Sequence, residues 1–116
     1  MTTGDRRVLM QLGLGDSEVP NIGGFLHARV LGLAQTTPSP FPVWGLDPVS
    51  GPTERSALTV FGYGVDLSFV KAPQPAPSTN PVHEAVRTNP AALRQMEEFY
   101  TSGRILHPCE GPCDPE

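Results

Sequence analysis

The sequence predicts an α+β chain that is mainly β, with a small antiparallel β core, long Pro-rich extended arms and one C-terminal helix. Three observations lead there. Apolar residues alternate at period two in 6–14 and again in 57–70, the signature of half-buried strands. Fourteen prolines and 12 glycines stand in 116 residues, and prolines are unsuited to the interior of a helix or a sheet. Asn89-Pro90 then precedes a run with helical spacing, and an N-cap residue before proline at the first helical position is a start signal.

In the first element, Val8, Met10, Leu12 and Leu14 share one face, and Leu9, Gln11 and Gly13 the other. Gly15-Asp16 opens a turn that closes at Pro20–Gly24. Residues 25–35 read as a second strand, in which Phe25, His27, Arg29, Leu31 and Leu33 alternate with a small apolar face. Leu26, Val30 and Leu33 also fit a helix, but two glycines before the run and one within it favour the strand. Residues 36–56 hold five prolines and read as an irregular, polyproline-like loop carrying Phe41, Trp44 and Leu46. Residues 57–63 and 65–70 form the best hairpin candidate, with Gly62 and Gly64 at the connection.

Residues 72–81 form a semi-rigid proline spacer. Asn80-Pro81 starts a short helical turn over 82–87. Asn89-Pro90 starts a firmer helix to about 101, with Leu93, Met96 and Tyr100 on its apolar stripe. The organisation is thus a β-rich core over 1–71, a spacer over 72–81, a helical segment over 82–106 and a cysteine-containing tail over 107–116.

Composition narrows the function. Eight Lys+Arg against 12 Asp+Glu give a net charge of −4, and no basic stripe is present, so nucleic acid is not an expected partner. No apolar run approaches the roughly 20 residues that span a bilayer, so no membrane partner is expected. The N-terminal run lacks the long apolar stretch of a signal peptide, and the expected location is cytoplasmic or within a virion. Gly13-Leu14-Gly15 invites a dinucleotide fingerprint, but Glu18 stands where the third glycine belongs and Pro20 follows. None of His27, His83 and His107 has an adjacent nucleophile motif, and no catalytic residue is assigned.

The tail is the densest cluster of ligand-type side chains. Cys109 and Cys113 are separated by Glu-Gly-Pro, with His107 two residues before the first. Two thiolates and an imidazole supply three zinc ligands, and a fourth would come from a distant residue such as His83 or from another chain. The turn at Gly111-Pro112 also brings the two Cα atoms inside the roughly 4.4–6.8 Å window for a disulfide. Zinc, a disulfide and a plain flexible tail remain the three alternatives, and no other cofactor is expected.

Proline-stiffened segments with embedded aromatics suit docking on another surface, because they lose little entropy on ordering. Phe41, Trp44 and Leu46 are the interface candidates. The expected function is a non-enzymatic structural or accessory subunit whose arms dock on other protein chains of a larger assembly. A phage particle (as a minor capsid, cement or connector protein) is one natural setting. The alternative is a small accessory subunit of a multi-subunit bacterial enzyme, wrapping a large catalytic chain.

Overall fold

The structure, a computed structural model, describes residues 6–64 and 81–114. Four strands, β1 (Leu9–Gly13), β2 (Ala34–Thr36), β3 (Pro48–Val49) and β4 (Ala57–Phe61), form one sheet in the order β1-β4-β2-β3. All three pairings are parallel. Helix α1 (Asn21–Val30) lies between β1 and β2 in the chain, and α2 (Pro81–Thr88) and α3 (Pro90–Ser102) follow β4. The expected antiparallel core with long arms and one helix is therefore corrected to a parallel sheet with helices on both faces. Among the described residues no helix is long and apolar enough to cross a membrane.

Strand parity sorts the two faces. Leu14, Leu58 and Val60 are buried with Phe25 and Ala28 of α1, and Val8, Met10 and Leu12 pack against them. This is the apolar side read from residues 8–14. The opposite face carries Leu9, Gln11 and Gly13 on β1, with Ala57, Thr59 and Phe61 in register on β4. There Phe61 packs with Ala92 of α3 and Cys113, and Ala34 and Ala57 pack with Ile105. Gly13 lets α2 come close: a Cβ at this position would lie 2.7 Å from Val82 Cγ1 and 3.0 Å from Val86 Cγ2.

Residues 21–30 are helix, not the strand expected over 25–35. Glycine's unfavourable helix propensity, about 1 kcal/mol each, is outweighed by burial of Phe25 and Ala28 under the sheet. Gly32 does not sit inside a strand but ends the helix, at φ 68°. The Leu33 N–H reaches back to Ala28 O at 3.0 Å, the closing bond of a left-handed helix stop. Only the three residues of β2 remain extended. His27, read as a partly buried strand residue, is exposed on α1.

The proline-rich loop is not an extended arm either. Residues 37–47 fold back onto the α1 face, where Phe41 stacks on Phe25 with ring centroids 5.5 Å apart and Val43 is buried. Gln35 of β2 pins the turn. Its Nε2 donates to Ser39 Oγ at 2.9 Å and Phe41 O at 2.8 Å, and its Oε1 accepts the Val43 N–H at 2.8 Å. The strand expected at 65–70 lies outside the described residues, as does the spacer expected over 72–81 except Pro81, which is the first residue of α2.

The helix expected at 90–101 is α3, but it is the third helix and not the only one. Its start follows the capping logic: Asn89 Oδ1 accepts the Ala91 N–H at 2.9 Å with Pro90 in the first turn. Gly103, at φ 74°, ends it.

A chain of hydrogen bonds crosses the sheet beneath α3. Gln11 Nε2 donates to Gln95 Oε1 at 2.9 Å, and Gln95 Nε2 donates to Thr59 Oγ1 at 2.6 Å and Leu106 O at 2.7 Å. Thr59 Oγ1 lies 2.8 Å from Thr36 Oγ1. Gln95 is fully buried, so its amide depends on these partners. We predict that Gln95→Leu, which keeps the volume but removes the amide, lowers unfolding free energy by about 1–3 kcal/mol, the cost of a buried polar group left unsatisfied. Urea unfolding of the two proteins measures this, and an unchanged midpoint would show that the seam contributes nothing.

Candidate functional site

Three features of the surface carry side chains with chemical or binding potential: the carboxyl end of β1, the outer face of α1 and the cysteine tail. The first lies where open parallel sheets commonly bind ligands. A crevice of about 180 Å³ there is lined by residues that include Gln11, Gly13, Asp16, Asn21, Val82 and His83. The turn after β1 fills its own backbone needs. Asn21 Oδ1 accepts the Gly15 N–H at 2.8 Å, and Asn21 Nδ2 donates to Gly13 O at 2.8 Å. A helix does follow the glycines, but the amide that a phosphate would need at Gly15 is already bonded, so the dinucleotide reading has no geometric support.

Asp16 organises the same turn, its Oδ1 accepting the N–H groups of Glu18 and Val19 at 2.9 and 3.1 Å. Its Oδ2 accepts from His83 Nδ1 at 2.9 Å, and His83 Nε2 lies 3.3 Å from Glu18 Oε2. The hydrogen bond to Asp16 raises the His83 pKa above 6.5, with the charges of Asp16 and Glu18 acting in the same direction against partial desolvation and Arg87. Both ring nitrogens face carboxylates, which favours the imidazolium and ties α2 to the β1 turn. Ser17, next to Asp16, has its Oγ buried with no hydrogen-bond partner among the described residues, so His83 does not activate it as a nucleophile. His83 does not belong to the cysteine cluster, which consists of His107, Cys109 and Cys113.

The interface candidates of the proline-rich loop separate. Phe41 and Leu46 pack on the chain's own core, whereas Trp44 is 83% exposed. Arg29 of α1 places its Cζ 5.9 Å from the centre of the Trp44 ring, a cation–π contact, and its Nη1 donates to Trp44 O at 3.3 Å. Beside Trp44, α1 turns Ile22, Leu26 and Val30 to solvent, residues four apart and therefore one continuous stripe. Sequence reasoning missed this stripe as a surface. Leu26 and Val30 were visible as a helical spacing, but nothing in the sequence said that this face is the outer one.

In the tail, Cys109 and Cys113 are joined by a disulfide with Cα atoms 5.4 Å apart, so the turn at Gly111-Pro112 does bring the sulfurs together. Cys113 is buried against Phe61 and Ala92, and its carbonyl accepts the Gly62 N–H at 2.7 Å. His107 completes a group in which one ligand atom from each of the three residues lies within 4.8 Å of the others. This group could bind a metal only with its thiols free, and no cofactor is shown. His107 Nε2 lies 2.7 Å from Gly111 O. A carbonyl only accepts, so Nε2 carries a proton, and Nδ1 lies 3.5 Å from Thr36 Oγ1.

The chain matches no family model, no curated protein and no solved structure.

The His83 contact generates a pH dependence. A folded-state pKa raised above 6.5 gives stability that is full below 6.5 and is lost as pH rises through the folded value. We predict that the urea midpoint of the wild type falls over this window relative to that of His83→Gln, measured between about pH 5.5 and 8.5. Parallel curves for the two proteins would show that the imidazolium stabilises nothing.

Proposed function

We propose that this chain is a non-enzymatic accessory or structural subunit that docks on another protein chain through the outer face of α1 and Trp44. The observation that supports this reading most is the stripe Ile22, Leu26 and Val30 lying exposed beside an exposed Trp44. Contiguous apolar patches of this kind mark interaction sites more often than scattered exposed residues do, and tryptophan is the residue type most enriched at interface hot spots.

Charge selects the partner's chemistry. The protein's net charge is −4, yet α1 carries no acid and has His27 and Arg29 in its last turn. Just beyond it, Arg6, Arg7 and Arg55 line a shared groove with Leu31 and Glu54, and Arg55 pairs with Asp47 at 3.3 Å. The patch is thus apolar with a rim that carries more arginines than acids, and it fits a protein surface that is apolar at its centre and has carboxylates around it. Full burial of one large apolar side chain contributes about 1.5–3 kcal/mol, while association costs roughly 4–15 kcal/mol. Four such side chains, already partly buried in the free chain, contribute at most about 6–12 kcal/mol, no more than that cost, so polar and charged contacts at the rim are needed for affinity and orientation.

A phage particle or a multi-subunit bacterial enzyme would each supply such a partner. The two settings separate by whether loss of this chain abolishes a partner's activity. The mass of the native material addresses the shared premise: a defined complex is expected, not a free chain of 12.4 kDa.

Trp44→Ala and Leu26→Glu should therefore release the chain from that complex while leaving its own unfolding free energy within about 0.5 kcal/mol, as for surface substitutions generally. Co-sedimentation with the complex and urea unfolding of the isolated variants measure the two effects. Equal losses of assembly and of fold stability would assign Trp44 to this chain's own core, and a monomeric native chain would overturn the reading.

A further inference from the structure

We propose that the tail is a redox-gated zinc site: the Cys109–Cys113 disulfide is its closed form, and the reduced dithiol with His107 takes up one Zn²⁺. The inference is independent of the α1 docking surface, which engages none of these residues.

The ligand set and its placement support it. Two thiolates and one imidazole are the donors zinc prefers among first-row metals, and their ligand atoms lie within 4.8 Å of one another. The backbone already holds both ends of the cluster. Ile105 pairs with Thr53 through two bonds of 2.8 Å, and Cys113 O accepts the Gly62 N–H, so the tail approaches a metal from anchored positions. With Nε2 donating to Gly111 O, the neutral imidazole has its free lone pair on Nδ1. Its Nε2–H is held by Gly111 O at 2.7 Å, while Nδ1 makes the longer contact of 3.5 Å with Thr36 Oγ1. Nδ1 is therefore the nitrogen whose present partner yields most easily. Metal-bound histidines commonly donate their other N–H to a carbonyl, which here would be Gly111 O.

Access to the cluster is one-sided. An open groove of about 610 Å³ is lined by residues that include Glu97, Glu98, His107, Cys109 and Glu110. Cys109 faces this groove, whereas Cys113 is fully buried. An external thiolate thus attacks Cys109 Sγ, the S–S bond breaks, and Cys113 leaves as a thiolate that takes a proton. A second external thiolate then attacks the mixed disulfide and releases Cys109. The net change is two electrons and two protons to the protein and one disulfide formed between the reductant's sulfurs. Zinc binding afterwards displaces both thiol protons. Glu97, Glu98 and Glu110 outnumber Arg94 in the groove by which the cation enters, and water or a groove carboxylate completes four-coordination.

The test uses the full chain, ZnCl₂ alone as the probe and a chromophoric chelator as competitor, with and without prior reduction by a phosphine that is then removed. The reduced chain is expected to hold one zinc and the oxidised chain none. Cys109→Ser and Cys113→Ser should each abolish uptake. His107→Ala should weaken it at least about tenfold, since even loss of an outer-shell partner has that effect. Cobalt in place of zinc should show thiolate-to-metal charge-transfer bands that vanish with either serine. Reduction can also loosen the tail, so amide protection of Gly62 and Ile105 is followed in the same samples, and zinc should restore it to the oxidised level. No uptake by the reduced chain, equal uptake by both forms, uptake indifferent to His107, or uptake without restored protection would each overturn the proposal.

Discussion

The Gln95 amide is the constraint on which the rest of the structure depends. It is fully buried between α3 and the sheet, and every one of its hydrogen-bonding groups is used. Because Nε2 of His107 must donate to Gly111 O, the bonds can run in one direction from β1 to the tail. Gln11 donates to Gln95, Gln95 to Thr59, Thr59 to Thr36, Thr36 towards His107, and His107 to Gly111. A buried polar group without a partner costs more than a satisfied one contributes, so the seam selects one arrangement of α3 and the tail over nearby alternatives. The apolar contacts on this face, Ala34, Ala57 and Ile105 on one side and Phe61 and Ala92 on the other, are less directional and follow the alignment the seam imposes.

This division of labour explains why the two faces of the sheet differ. The α1 face is packed by large apolar side chains, Phe25, Leu58, Val60 and Leu14, and its helix still has apolar residues left over on the outside. The α3 face mixes alanines with Phe61 and Ile105, and has a polar row and a tail folded over it. A chain of 116 residues has a core of limited size, and short chains commonly need a cross-link, a metal or a partner surface in addition. The disulfide in the tail supplies the first, the proposed zinc form the second, and the outer face of α1 would engage the third. They lie on opposite sides of the sheet.

Parts of this were legible in the sequence because they rest on local rules. The parity of residues 8–14 picked out the face of β1 that packs against α1, though the other face is covered as well; 57–61 is a strand as its alternation suggested, and Asn89-Pro90 marks the start of α3 through capping chemistry. The proximity of Cys109 and Cys113 followed from a turn of three residues. The parallel pairing was not legible, since period two is the same for both directions and β2 and β3 have only three and two residues. Helix α1 was misread because Gly23, Gly24 and Gly32 argue against helix locally. The decisive term is burial of Phe25 and Ala28 against strands far away in the chain. The loop after β2 read as an arm because its prolines stiffen it, whereas Gln35, a polar residue with no motif around it, folds it back.

The central claim is that the seam makes segment 103–113 an integral layer of the fold. Native-state hydrogen exchange of the Gly62, Thr53 and Ile105 amides, which bond across that segment, tests it most directly when compared with amides of β4. The account predicts that all of them exchange only through global unfolding, with the same free energy and the same denaturant dependence as β4. Exchange of Gly62, Thr53 and Ile105 through a low-energy, denaturant-independent opening, while β4 stays protected, would contradict it.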